Sequence, residues 1–263
     1  GFINFFLKPI WANGVIFDIL DLKSDYGRDN LGRSKKVQVE FVSANPTGPM
    51  HMGNARGAAL GESLAALLKV TGYDVTKEFY INDAGNQIEK FGLSLEARYL
   101  ELFGQESQIP EGGYHGEDIK EHMQALAELE GDRFLHMDSA SRRAYFIEYA
   151  LEKNIKHMKQ DLEDFGVTFD VWFSEQSLYD SGKVYEVIQI LKDRGYTYEK
   201  DGALWFRATQ FGVPKDEVLI RANGLPTYFA ADIAYHKDKF DRGFEWVIDI
   251  WGADHHGHVP RMK

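Results

Sequence analysis

One stretch, Val37 to Asn54, constrains the fold more than any other part of this chain. Val37, Val39 and Phe41 alternate with Gln38, Glu40 and Val42, which is the period of a strand. Ser43-Ala44-Asn45-Pro46-Thr47-Gly48-Pro49 is too rich in Pro and Gly to continue it, and His51-Met52-Gly53-Asn54 steps onto a helix. That helix is expected from about Gly53 to Val70, with Leu60, Leu64, Leu67 and Leu68 as its apolar stripe and Gly72 as its stop. Val75 to Ile81 reads as a second strand. Strand, helix and strand joined this tightly imply a right-handed parallel crossover. In such a unit the loop after the first strand presents the free N–H groups of a helix N-terminus, a ready seat for a phosphate.

The rest of the chain divides around that unit. Residues 1–34 read as the remnant of a preceding domain and a linker, with a strand-like run at Gly1 to Leu7 and a loop at Ser24 to Gly32. Residues 35–85 form the first half of a nucleotide-binding domain. Residues 86–165 are mostly helical, with apolar spacing at Ile88, Phe91 and Leu95 and again at Ile155, Met158, Leu162 and Phe165, broken around Pro110-Glu111-Gly112-Gly113. The block is too long for a plain crossover and reads as an insertion. Residues 166–263 supply the second half: a strand at Phe169 to Phe173, a helix at Gly182 to Arg194, and a hairpin at 196–206 turning on Asp201-Gly202. The α/β pattern then resumes with a short strand at Val218 to Arg221 and a helix opened by Pro226 and Thr227. A buried strand follows at Trp246 to Trp251, and Gly252 to Gly257 leads into a last helix. The expected class is α/β, a parallel sheet with helices on both faces, interrupted by a mostly helical insertion.

Composition narrows the function. With Lys+Arg 30 and Asp+Glu 41 the net charge is −11, which argues against coating nucleic acid through phosphate neutralisation. An acidic pocket would instead suit a cationic substrate. The clusters Arg33-Ser34-Lys35-Lys36, Arg142-Arg143 and Lys153, Lys156, Lys159 fit solvated faces. There is no cysteine, so disulfides and thiolate metal sites are excluded. No apolar run reaches membrane-spanning length, and the expected setting is cytoplasmic, with no membrane partner.

Four constellations carry chemistry. His51, Gly53 and Asn54 open a helix where phosphates could be held, Gly53 leaving room for a flat base against the backbone. Glu40, Ser43 and Asn45 lie beside that loop; Glu40 reads either as a solvent-facing carboxylate on an edge strand or as a pocket acid able to pair with a guanidinium. Tyr228 and Asp232, at i and i+4, share one helix face and could aim a second carboxylate at the pocket, although a surface pair or a partner for His236 fits the same spacing. Gly252, Asp254 and His255 belong to Gly252-Ala253-Asp254-His255-His256-Gly257-His258. That run is similar to the signature of manganese phosphoesterases, but the paired upstream aspartates such a site needs are not found, and a strand end that binds a ribose is the preferred reading. No metal site is expected.

With these elements in order, Glu40 to Pro49, Tyr80-Ile81-Asn82-Asp83-Ala84-Gly85-Asn86-Gln87, Asp232 to Lys239 and Trp251 to Gly257 resemble bacterial arginyl-tRNA synthetases, class I aminoacyl-tRNA synthetases. The resemblance implies a Rossmann-like catalytic domain that activates L-arginine with ATP, accompanied by Mg2+, and transfers it to tRNA(Arg). It implies catalytic roles for His51 and Asn54, arginine binding by Glu40, Ser43, Asn45, Tyr228 and Asp232, and ATP binding by Gly53, Gly252, Asp254 and His255. Asn54 departs from the family's second signature His. The second signature, a Lys-Met-Ser-Lys-type loop, and the helical anticodon domain are not in these residues, so a catalytic-domain fragment poorly active alone is expected. Rivals are another class I synthetase, a small-molecule nucleotidyltransferase, or a non-catalytic RNA-binding paralogue.

Overall fold

The computed structural model describes residues 1–263, the side chain of Asp254 excepted. Its organising strand is Lys36–Glu40 (β1), which is buried on both sides: Val37 and Val39 on one, Gln38 and Glu40 on the other. A strand buried on both faces belongs in the interior of a parallel sheet. Asp74–Ile81 (β2) and Trp246–Asp249 (β7) pair with it in parallel, and Val171–Ser174 (β3) pairs in parallel with β2, giving the order β3-β2-β1-β7. Glu40 is thus on a central strand, not an edge one.

The two faces of this sheet have opposite chemistry. On one, Val37, Val39, Phe41, Val75, Phe79 and Ile81 share an apolar core with Met52–Val70 (α2) and Ser139–Asp164 (α5), the latter through Met158 and Leu162. On the other, Glu40 and Glu78 meet polar and charged residues at and just beyond Tyr228–Asp241 (α8): Lys239 on Glu40, and Tyr235 and Arg242 on Glu78.

The α2 stripe differs from the one expected. Its buried residues are Ala58, Gly61 and Ala65; Leu64 and Leu68 are partly buried, and Leu60 and Leu67 are 58% and 65% exposed. Gly61 explains this, since a Cβ there would fall 2.1 Å from Cγ of Phe41. The helix lies so close to the sheet that only its small residues fit beneath it. It ends as expected: Gly72, at φ +86°, donates to the Lys69 carbonyl and Tyr73 to that of Leu68.

Between β2 and β3 the chain forms Asn86–Leu102 (α3), Glu117–Glu130 (α4) and α5, packed around Phe91, Leu95, Tyr99, Met123, Phe134 and Phe146. Arg142 of α5 clasps Glu96 of α3 through Nε and Nη2 at 2.8 and 2.6 Å. Phe165 is 53% exposed because α5 ends there. Gln176–Asp180 (α6), which the sequence pattern did not separate, precedes Lys183–Asp193 (α7).

Thr197–Lys200 (β4) and Ala203–Phe206 (β5) make the expected hairpin, with Asp201 and Gly202 both at positive φ. Glu217–Ile220 (β6) does not rejoin the parallel sheet; it pairs antiparallel with β5, covering what would be an open edge. Strand β7 is an edge strand, so Trp246 is 46% exposed and stacks on Tyr73. Gly1 to Leu7 forms no strand; Pro9–Leu22 (α1), which opens on a proline, follows it with no buried residue. After β7 come one 3-10 turn, Ala253–His255, and a short helix, Val259–Met262 (α9).

Candidate active site

All four parallel strands run the same way, and a cleft of about 880 Å³ opens beyond their C-terminal ends. Ser43 follows β1, Tyr80 and Asn82 end β2, Glu175 follows β3, and Trp251 and Gly252 follow β7. Tyr228 and Asp232 of α8 close one side. This is where open α/β sheets bind ligands. Of the residues singled out in the sequence, Glu40, Ser43, Asn45, Tyr228, Asp232, Gly252 and His255 line the cleft together. His51, Gly53 and Asn54 sit on the first turn of α2, outside that lining. The Asp254 side chain lies outside the described residues.

The loop after β1 is strained where it enters the site. Val42 has φ +69°, and the Ser43 N–H bonds the Phe41 carbonyl at 3.0 Å, which makes Val42 the centre of a γ-turn of the rarer hand. Such a backbone costs about 1–3 kcal/mol and needs surrounding contacts to hold it. Ser43 provides them: its hydroxyl donates to Glu40 Oε1 at 2.8 Å and accepts the Tyr80 N–H at 3.1 Å. Asn45 is held in turn by Gln87 at 2.9 Å.

Glu40 is not a free carboxylate. Its Oε2 accepts from Lys239 Nζ at 2.6 Å, and the same ammonium, fully buried, donates to Asp249 Oδ1 at 2.6 Å. Burial raises the Glu40 pKa, the Lys239 charge opposes that, and Asp249 adds to it. Burial would also raise Asp249, yet the hydrogen bond from His236 and the Lys239 charge hold it well below the usual carboxylate range. Glu40 and Asp249 therefore share one internal cation.

Glu175 is the opposite case. It is 2% exposed, its Oε1 has no hydrogen-bond partner, and it stands in the cleft near Asp232 and Tyr80. Burial first, then repulsion from Asp232, pushes it up to about 8, against the hydrogen bond that Tyr80 makes with its side chain. Asp232 keeps contact with His258, Oδ2 to Nε2 3.1 Å, and its side chain is 30% exposed. Sequence reasoning missed Glu175; its only signal was an acidic residue just past a strand.

At the start of α2, His51 Nδ1 accepts the Gly53 N–H at 3.1 Å and Asn54 Oδ1 accepts the His51 N–H at 3.0 Å, a reciprocal cap. The acceptor role of Nδ1 leaves the ring proton on Nε2, where it is a donor. A Cβ on Gly53 would meet the His51 ring at 2.9 Å, so the missing side chain makes room for that ring.

A family model for tRNA synthetases class I (R), catalytic domain, matches residues 16–259. The chain belongs to this family. It is 63% identical over 264 residues to the arginine--tRNA ligase of Caldanaerobacter subterraneus and 62% identical over 263 residues to that of Desulfitobacterium hafniense; each alignment takes in 100% of this chain and 47% of the relative. The chain thus spans about half the length of the curated relatives it matches. A crystal structure from Campylobacter jejuni, provisionally described as arginyl-tRNA synthetase, superposes with TM-score 0.87 at 38% identity, covering 97% of this chain and 56% of that one. The Thermus thermophilus arginyl-tRNA synthetase, at 22% identity and TM-score 0.57 over 89% of this chain and 39% of that one, shares the fold. In this class I synthetase domain the acidic cleft and the capped α2 start flank the same loop, residues 41–51.

Proposed function

We propose that the cleft binds the guanidinium of arginine between Glu175 and Asp232, with Tyr228 beside them, and that ATP phosphates dock at the α2 start. The observation that carries this is the unpartnered, buried Glu175 oxygen facing a second carboxylate. Two acids with a fixed fork of acceptors suit a planar guanidinium better than an ammonium. Ser43 and Asn45, on the strained loop, would take the main-chain groups of the amino acid. Glu40 acts behind them through Ser43 and not as a direct partner of the guanidinium. The relatives' name, arginine--tRNA ligase, points the same way.

In the activation step an arginine carboxylate oxygen forms a bond to the α-phosphorus, the bond to pyrophosphate breaks, and pyrophosphate leaves with the electron pair. No proton moves. The chain's part is to orient the carboxylate and to meet growing charge with the positive end of the α2 dipole and the His51 Nε2–H. Asn54 serves His51 by capping it. A hydroxyl at the tRNA 3′ end then attacks the arginyl carbonyl, the acyl–phosphate bond breaks, and AMP departs with the electron pair and takes up the hydroxyl proton. Gly252 and His255 are placed for the ribose side of the nucleotide, and Asp254 is kept as a candidate there. Magnesium would travel on the ATP phosphates, since no group of three His, Asp or Glu fit to hold a metal occurs among the described residues. No described helix is long and apolar enough to cross a membrane. The cytoplasm is the proposed compartment.

Thermal shift with this chain tests the reading. Arginine at about 100 times its Kd should stabilise by about 2.7 kcal/mol, with lysine far weaker at equal concentration. Equal shifts with arginine and lysine, or retention of the arginine shift in Glu175→Ala, would overturn it.

A further inference from the structure

Tyr80 and Asn82 line the cleft, and the residues that follow them reach the elements carrying its other walls. Asp83 Oδ1 accepts the Gln176 N–H at 2.9 Å, and its Oδ2 accepts from Ser174 Oγ at 2.6 Å. Its two oxygens therefore grip the residues on either side of Glu175. The Glu175 N–H itself bonds the Ile81 carbonyl at 3.0 Å. Gly85, at φ +80°, lies where a Cβ would come 3.0 Å from the Tyr228 hydroxyl. Gln87 holds Asn45. A single short segment touches three sides of the pocket.

We propose that Asp83 is a positioning residue: it sets where the Glu175 carboxylate stands, and thereby how sharply the site separates a guanidinium from an ammonium. The proposal rests on the functional reading above. Helix α6 has only five residues, too few to fix its own start, so the Glu175 backbone takes its orientation from the end of β2. A guanidinium needs acceptors in one plane at fixed spacing, whereas an ammonium tolerates a range of directions. Loosening Glu175 should accordingly harm arginine more than lysine. A simple helix cap would lower stability and leave that ratio alone.

The test uses this chain with Asp83→Ala, Asp83→Asn and a remote cap control, Asp138→Ala, whose carboxylate accepts the Ser141 N–H at the start of α5. Two readouts are taken: the NMR titration midpoint of the Glu175 carboxyl, and calorimetric Kd values for arginine and lysine. Asp232, Asp83, Tyr80 and Tyr179 are the titratable groups facing Glu175, and Tyr80 and Tyr179 are both pushed upward, first by burial and then by Glu175. They stay neutral through the range of the titration. Both Asp83 variants remove a charge that itself holds the Glu175 carboxyl up, so its midpoint should fall in each; Asp83→Ala should in addition weaken arginine about tenfold, with the arginine-to-lysine ratio falling by a similar factor. Asp83→Asn, which shares the lost charge but still accepts from Gln176, should recover most of the arginine affinity and of the ratio, and its Glu175 midpoint should differ from that of Asp83→Ala. Asp138→Ala should lower the melting temperature alone. If Asp83→Ala does not fold, Ser174→Ala removes one of the two grips and is read the same way. An arginine-to-lysine ratio unchanged in Asp83→Ala, or an equal change of that ratio in Asp138→Ala, overturns the positioning role. If the wild-type chain binds no arginine the functional reading fails by itself, and the difference in Glu175 midpoint between Asp83→Ala and Asp83→Asn, which share the lost charge, still decides the role of Asp83.

Discussion

Arginine binding should release a proton. Glu175 is pushed up to about 8, mainly by burial, so in the free protein near pH 7 it is ionised in only about one molecule in eleven. A guanidinium requires the ionised form, and drawing it out costs about 1.4 kcal/mol at pH 7, about 2.7 at pH 6 and about 0.4 at pH 8. The Kd for arginine should therefore improve about ninefold from pH 6 to 7 and about fivefold more from pH 7 to 8, then level off. Titration calorimetry in buffers of different ionisation enthalpy should count about 0.9 proton released per arginine at pH 7. Glu175→Gln should bind weakly and lose the slope, which separates this group from His258 on Asp232. The unligated protein carries the matching signature. The folded value lies above the ordinary 4.5, so stability is greatest below about pH 4.5 as far as this group is concerned and declines as pH rises toward 8. A Kd that stays flat from pH 6 to 8, with equal heats in all buffers, would refute the reasoning.

Four further substitutions test the frame. Lys239→Met leaves Glu40 and Asp249 buried without their shared cation and should cost about 3–5 kcal/mol in urea unfolding; an unchanged midpoint would show that the pair is solvated. Gly61→Ala drives a methyl into the Phe41 ring and should cost about 1–3 kcal/mol, whereas Gly57→Ala, whose nearest neighbour is the Val42 nitrogen at 4.0 Å, should be neutral or stabilising by up to about 1 kcal/mol. Equal effects at the two glycines would contradict the close approach of α2. Asn54→Ala removes one half of the reciprocal cap and should cost about 0.5–1 kcal/mol. For a chain of this size that is a fall of about 1–4 °C in Tm, and no fall would mean that His51 is held by other contacts.

How much was legible follows from the range over which each feature is determined. The β1–α2–β2 unit was readable because alternation, a Pro- and Gly-rich loop and a helical stop are local signals. The α2 stripe was misread because counting leucines ignores that Gly61 lets the helix sink onto Phe41. Strand β6 was read correctly as a strand and placed in the wrong sheet, since nothing in four residues says which edge lies open. The members of the site were largely visible, and seven of those named meet in one cleft. Their division of labour was not. Whether Glu40 or Glu175 awaits a ligand depends on Lys239, which is 199 residues from Glu40 in the chain.

That division has a physical logic. Beneath α8 the acids are matched internally: Glu40 and Asp249 by Lys239, Glu78 by Arg242 and Tyr235, Asp238 by Lys183 and Arg242. Each match lets a charge stay buried and fixes the strained loop and the sheet end that shape the cleft. Glu175 is left without a cation, although a lysine from α8 could in principle have filled that place as Lys239 fills the one beside Glu40. Keeping Glu175 protonated in the empty protein costs about 3 kcal/mol of stability at pH 7, from the gap between about 8 and the ordinary 4.5. A structural acid would have been neutralised or replaced. An acid left uncompensated in a cleft, with its neighbours held by Asp83, is the arrangement expected where the missing charge arrives with the ligand.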